Sequence, residues 1–246
     1  MSALLENSKV IRARPTPVPN GLAGEGWDRR SPYGDVAEYS TPRNALADEG
    51  SYYVCQNPTI DTTVAYGVIA AYATLTPAFL IANSALPGGR SIFLDFIKLL
   101  VTVAPASATN WKYLVEVDST QRVSTPPTGG VSRSVLNSNP GIANDFEGAV
   151  WAFTGGTVLT VMAASAGRVV AHGRWAQSIP IVLDEMVLKF GQGDTDANAV
   201  TTVGRRTASA PPVVIPPGCS AAIHMYGASN AITGMSAEYS MGMWMR

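Results

Sequence analysis

At 246 residues the chain is long enough for a full hydrophobic core, and 46% of it is hydrophobic while only 14% is charged, against about 25% in an average soluble domain. The net charge of −1 gives no long-range field for drawing in a polyanion, so nucleic acid is not an expected partner. No window approaches the roughly eighteen apolar residues of a membrane span, and the opening MSALLENSKVIRARPTP lacks the basic-then-apolar order of a signal peptide, so neither a membrane nor a secretory route is expected.

Residues 1–50 differ from the rest. Pro15, Pro17, Pro19, Pro32 and Pro42 fall among glycines and charges with no sustained period. Proline at this density argues against helix or central strand and predicts an extended or irregular arm. Val10, Ile11, Val18, Leu22, Trp27, Tyr33 and Tyr39 are anchors that a purely solvated tail does not need, so an arm lying on its own or a neighbouring subunit stands beside plain disorder. Arg12, Arg14, Trp27, Arg29 and Arg30 are its candidate interface residues, with ordinary solvation the bland reading of the arginines.

Residues 51–246 read as one β domain. SYYVC and TTVAYGVIAAYATLT (62–76) are rich in β-branched and aromatic residues, and the turn NSALPGGRS (83–91) leads into IFLDFIKLLVTV (92–103), apolar on both faces apart from Asp95 and Lys98. A helix is the rival for that run, but the Gly-Gly lead-in and valine-rich end favour a doubly buried strand. NWKYLVEVDS alternates Trp111, Tyr113, Val115 and Val117 with Lys112, Leu114, Glu116 and Asp118, and TQRVSTPPTGGVSRS follows as a long loop of the kind that forms functional or interface surfaces. Further strands are expected in GAVWAFT, GTVLTVMAAS (156–165), RVVAHGRW, IPIVLDEMVLKFG (179–191) and CSAAIHMYG. The last, AEYSMGMWMR, sets Ala237, Tyr239, Met241, Met243 and Met245 on one face and leaves Trp244 and Arg246 on the other as interface candidates. Many short strands separated by Gly and Pro, with no fixed-period repeat, predict an all-β sandwich, jelly-roll-like, behind a Pro-rich arm.

Catalytic signatures are absent. GASNA (227–231) and GMSAE (234–238) lack the second glycine of a nucleophile elbow, and there is neither a phosphate loop nor a dinucleotide fingerprint. His172 and His224 alternate with apolar residues in expected strands and read as structural, and Cys55 and Cys219 read as two buried thiols, with one long-range disulfide as the alternative. Asp194, Asp196 and Asn198 have the spacing that opens a calcium loop, but Ala199 and Arg205 stand where that loop needs Gly and Glu, so a solvated turn is expected. Asp145 with Glu147, or Asp184 with Glu185, could form a glycosidase pair only if the fold set them at the right separation. No cofactor and no metal are expected, and the chain reads as non-enzymatic.

TNWKYLVEVDSTQR (109–122), VIPPGCSAAIHMYG (214–227) and AEYSMGMWMR together resemble a group of tailed-bacteriophage virion proteins. In that group a W-x-Y-x-x-x-V-D strand, a PPG-x-S turn and a closing Y-E-F-x-x-G-W-W-E-R-like strand occur in this order; here MGMWMR replaces the more aromatic and acidic ending. The resemblance implies a capsid decoration (cement) protein or head-fibre base: a jelly roll, often trimeric, made in the bacterial cytoplasm and bound to the major capsid protein on the virion surface, with no catalytic residues. The alternative from a different class is a receptor- or glycan-binding head or tail fibre protein.

Overall fold

The computed structural model describes residues 28–30, 36–38, 42–57, 59, 63–66, 71–106, 111–123, 128–156, 159–164, 166–176, 180–191, 205–227 and 232–246. The chain divides into two compact units, Met1–Glu49 and Gly50–Arg246.

In the first unit, β1 (Asp28–Arg30) and β2 (Val36–Glu38) pair antiparallel with Asp28 opposite Glu38, and α1 spans Pro42–Asp48. Within the described part of the arm, these short elements depart from an irregular path at 28–30, 36–38 and 42–48. Pro42 occupies the first helical position, where a missing N–H costs nothing, and the good helix formers Ala45, Leu46 and Ala47 follow it.

The second unit is an all-β sandwich. Its strands are β3 (Tyr52–Gln56), β4 (Val64–Ala65), β5 (Phe79–Asn83), β6 (Ile92–Val103), β7 (Trp111–Asp118), β8 (Gly130–Arg133) and β9 (Val135–Asn137). They continue as β10 (Gly148–Phe153), β11 (Arg168–Ala176), β12 (Glu185–Phe190), β13 (Arg205–Ala210), β14 (Val214–Ile215), β15 (Ser220–Gly227) and β16 (Ser236–Met245). The smaller sheet runs β11-β7-β15-β5-β10-β8 and the larger β13-β12-β6-β16-β3-β9, with β14 added to β6 and β4 to β16. β3, the first strand of this unit, pairs with β16, the last, and each sheet draws strands from both halves of the chain. No helix among the described residues is long and apolar enough to cross a membrane.

Alternation sets the core. Ala237, Tyr239, Met241, Met243 and Met245 of β16 are all buried, facing Ile97, Leu99 and Val101 of β6 and Phe79 and Phe153 of the opposite sheet. β6 is the predicted strand rather than a helix, but Asp95 is an extra residue in it. Opposite the step from Gly242 to Met243, β6 advances from Phe96 to Leu94. This bulge returns Ile92, Leu94, Ile97 and Leu99 to one face despite their uneven spacing in sequence.

The Tyr52 hydroxyl donates to Asp95 Oδ2 at 2.7 Å, and it does so through space left open at Gly242, where a Cβ would collide with that hydroxyl and with the Phe96 ring edge. Gly242→Ala is therefore expected to cost about 1–3 kcal/mol by overpacking, measured as a lowered urea midpoint. An unchanged midpoint would mean that Tyr52 swings aside freely.

Three expected strands are shorter among the described residues. Of the described residues in 62–76 only Val64–Ala65 is strand; of those in 156–165 only Thr160 makes a bridge, to Thr128; and of those in 179–191 only β12 is strand. Other described β-prone residues in these segments are held without a ladder. Leu159 and Val161 bury against Leu80 and Ala222 on the outer face of the smaller sheet, and Val161 N–H donates to the Leu75 carbonyl at 2.9 Å, holding 71–76 over the same face. Conversely, β5, buried along its whole length at the centre of the smaller sheet, and β8, inside the expected 120–134 loop, carry no clear period in sequence.

Candidate functional site

Trp244 and Arg246, the C-terminal interface candidates, end β16 on the larger sheet. Trp244 turns away from the methionine face and lies flat on Phe93, ring centroids 5.6 Å apart and planes 2° from parallel. Phe96, Leu100 and Val54, all half-buried, and exposed Leu136 share this outer face. Arg246 is exposed, its backbone closing the strand end through paired hydrogen bonds with Ser91. Of the arm candidates, Arg29 and Arg30 belong to β1, whereas Arg12, Arg14 and Trp27 lie outside the described residues, as do Asp194, Asp196 and Asn198.

The carboxylate pairs are brought to different duties. Asp145 and Glu147 flank Arg90: Arg90 Nη2 meets Asp145 Oδ2 at 3.0 Å and Arg90 Nε meets Glu147 Oε2 at 3.8 Å, while the Tyr53 hydroxyl donates to Asp145 Oδ1. The Tyr53 hydrogen bond first, and the Arg90 charge after it, hold the Asp145 carboxyl below its ordinary range. Asp184 is buried and accepts from Ile181 N–H at 3.0 Å, and Glu185 pairs with Lys98 at 2.9 Å. Neither pair is a free acid–base couple. Cys55 and Cys219 are unpaired thiols; burial pushes Cys55 up to about 12, and burial followed by the Asp118 charge raises Cys219, so both are disfavoured as nucleophiles. Among the described residues no group of three or more His, Cys, Asp or Glu is placed to hold a metal ion.

Sequence reasoning missed a buried charged cluster. On the outer face of the smaller sheet Glu116 of β7 is 6% exposed, and Arg122, from the loop after β7, is 1% exposed. Arg122 Nη1 binds Glu116 Oε2 at 2.6 Å, Nε donates to the Met162 carbonyl at 3.0 Å and Nη2 donates to the Thr74 carbonyl. His224 of β15 places Nε2 at 3.6 Å from the same carboxylate, under the edge of Tyr72, whose ring centroid is 5.0 Å away. Burial first, then the Arg122 charge, lowers His224 to about 4. Glu116 is too fully engaged by Arg122 to reverse this. Neither ring nitrogen makes a hydrogen bond among the described residues; the carbonyls of Thr76 and Ala73 favour a ring proton without closing one. The cluster fastens the 71–76 and 159–164 segments to the sheet. His172, by contrast, is exposed on β11 and not a core histidine.

Two further surfaces went unread. Ile181, Val182 and Leu183, expected inside a strand, instead form a turn in which they are 51%, 51% and 70% exposed, with Leu183 at a φ of 73°. Asp184 N–H donates to the Ile181 carbonyl at 3.0 Å and Leu183 N–H to the Val101 carbonyl at 2.8 Å, so this apolar knob is held from both sides. A cleft of about 280 Å³ lies where the edge strands β11 and β13 come together, lined by Tyr113, Val169, Val170, Ala171, His172, Ser209 and Pro211. The Tyr113 hydroxyl donates to the Ser209 carbonyl at 3.1 Å across it.

Comparison with known proteins finds no match to this chain among protein-family models, curated proteins or solved structures.

Proposed function

We propose that the chain is a non-catalytic structural subunit of a tailed-bacteriophage virion, a capsid decoration protein that binds the outer surface of the major capsid protein as a homotrimer and reinforces the head. The observation that carries the structural role is the apolar surface left on a domain whose core is already complete: the Phe93–Trp244 stack with Phe96, Leu100 and Leu136 on one face, and the Ile181–Leu183 knob at one end. Such surfaces on a chain with so few charges fit a subunit of an assembly. Among the described residues, the carboxylates of Asp145, Glu147, Glu185 and Glu116 are engaged in internal ion pairs. The virion assignment draws on the resemblance of 109–122, 214–227 and 237–246, segments that form β7, the turn into β15, and β16.

The test compares the solution mass of the full chain with that of a chain lacking residues 1–50, and the sedimentation of each with capsids and with cell-wall polysaccharide. The expected result is a trimer that sediments with capsids and loses that binding along with the arm. Sedimentation with polysaccharide and indifference to capsids would move the chain to the receptor-binding class.

A further inference from the structure

The knob and the cleft are two unlike surfaces on one chain, and their chemistry matches. Three consecutive exposed aliphatic residues are unusual on a soluble domain. Leu183 holds a left-handed backbone conformation that a bulky residue rarely adopts, and such strain persists where the surroundings fix it and clusters at functional sites. The knob has neither the aromatic residues nor the cations of a segment that lies in a bilayer interface, which points to a protein pocket.

We infer that copies of this chain assemble head to tail, the Ile181–Leu183 knob of one copy seating in the cleft between β11 and β13 of the next. Val169, Val170 and Ala171 give the cleft an aliphatic wall, with Val169 and Val170 exposed. The cleft is open to solvent and, at about 280 Å³, is large enough to take an aliphatic side chain such as that of Leu183. Arg168 and Arg174 stand on β11 on either side of the lining residues 169–172, and neither ion-pairs among the described residues. Close to the knob, Glu238 flanks Leu100, while Glu185 on the other side of Leu100 is already neutralised by Lys98, so the acidic complement to the two arginines is Glu238. The same basic residues oppose the symmetric alternative, since β11 paired with β11 of a second copy would bring like charges together. Unlike patches make a heterologous contact, which closes into a ring when the rotation allows and so suits a trimer. The inference rests only on the homo-oligomer part of the reading above, not on the virion.

Cysteine crosslinking of the full chain tests it. In a Cys219→Ser background, Leu183→Cys protein is mixed with Val170→Cys protein under mild oxidation. A disulfide-linked dimer is expected in the mixture and not in either protein alone; dimers in the separate samples, or none in the mixture, would overturn the inference. Leu183→Asp and Leu183→Gly provide the second measurement. Both are expected to reduce the solution mass to that of one chain, and Leu183→Gly, which relieves the positive φ, to do so without lowering the melting temperature. An oligomer that survives both substitutions, or a wild-type chain that is monomeric, would also overturn it. Crosslinking without capsid binding would leave this contact standing and remove only the virion reading; capsid binding by a chain that fails to crosslink would do the reverse.

Discussion

Arg122→Met is expected to lower the unfolding free energy by about 3–5 kcal/mol, the range for leaving one partner of a buried ion pair alone. Arg122 has three attachments: the Glu116 carboxylate at 2.6 Å, the Met162 carbonyl at 3.0 Å and the Thr74 carbonyl. Methionine keeps part of the volume and none of the donors, so the almost fully buried Glu116 carboxylate loses its cation and two carbonyls lose their donor. The double substitution Glu116→Gln with Arg122→Met discriminates between causes. If the stranded carboxylate dominates, the double variant regains more than half of the loss, because removing both charges together is often close to neutral. Urea titration of the three proteins gives the answer, and an Arg122→Met loss below about 1 kcal/mol would contradict so costly a buried charge.

That cluster also marks where the sequence stopped being legible. The methionine face of β16 and the inner face of β7 could be read because each strand alternates and its inner residues meet a core that any partner sheet would supply. The second face of β7 could not. Leu114, Glu116 and Asp118 look like a half-solvated row, yet all are buried, because 71–76 and 159–164 cross over them without forming strands. A glutamate in LVEVD is a surface residue by type, and its cation lies beyond the strand end, in a loop with no period to register it.

The knob failed for a related reason. Ile181, Val182 and Leu183 are β-formers by type, and what bends them into a turn is the Asp184 carboxylate taking the Ile181 N–H, a local competition that propensity does not count. The short helix after Thr41, by contrast, carried a readable signal in its Pro-first order, hidden only by the proline density of the arm around it. Of the interface candidates, Trp244 could be placed from alternation, but its stack on Phe93 needed the Asp95 bulge, which sets the pairing of β6 and β16 and is invisible in a one-dimensional pattern.

The His224 environment leads to the second large effect, an acid sensitivity with a defined window. His224 sits at about 4 in the folded chain against 6.5 for an ordinary histidine, so the unfolded chain binds the proton more readily and stability falls as acid is added. The contribution is intact above about pH 6.5, declines between about 6.5 and 4, and is fully lost below that; the displacement is worth about 3 kcal/mol. The Thr76 and Ala73 carbonyls favour a proton on the ring, but burial and the Arg122 charge outweigh them. Glu116 from β7 is already neutralised by Arg122, Arg122 itself repels a second cation, and Tyr72 from the 71–76 segment covers the ring with an aromatic edge. A proton on His224 therefore adds an uncompensated charge beneath a segment held by few bonds, and that segment is expected to open first, raising amide exchange at 71–76 before the rest of the sheet. His224→Met removes the titrating group and keeps an apolar side chain, so its stability, measured by urea titration at successive pH values, should lack this loss while following the wild type above about pH 6.5. Equal pH slopes for the two proteins would mean that the ring reaches solvent or finds an acceptor when protonated, and the buried, unpartnered imidazole would no longer explain how this domain responds to acid.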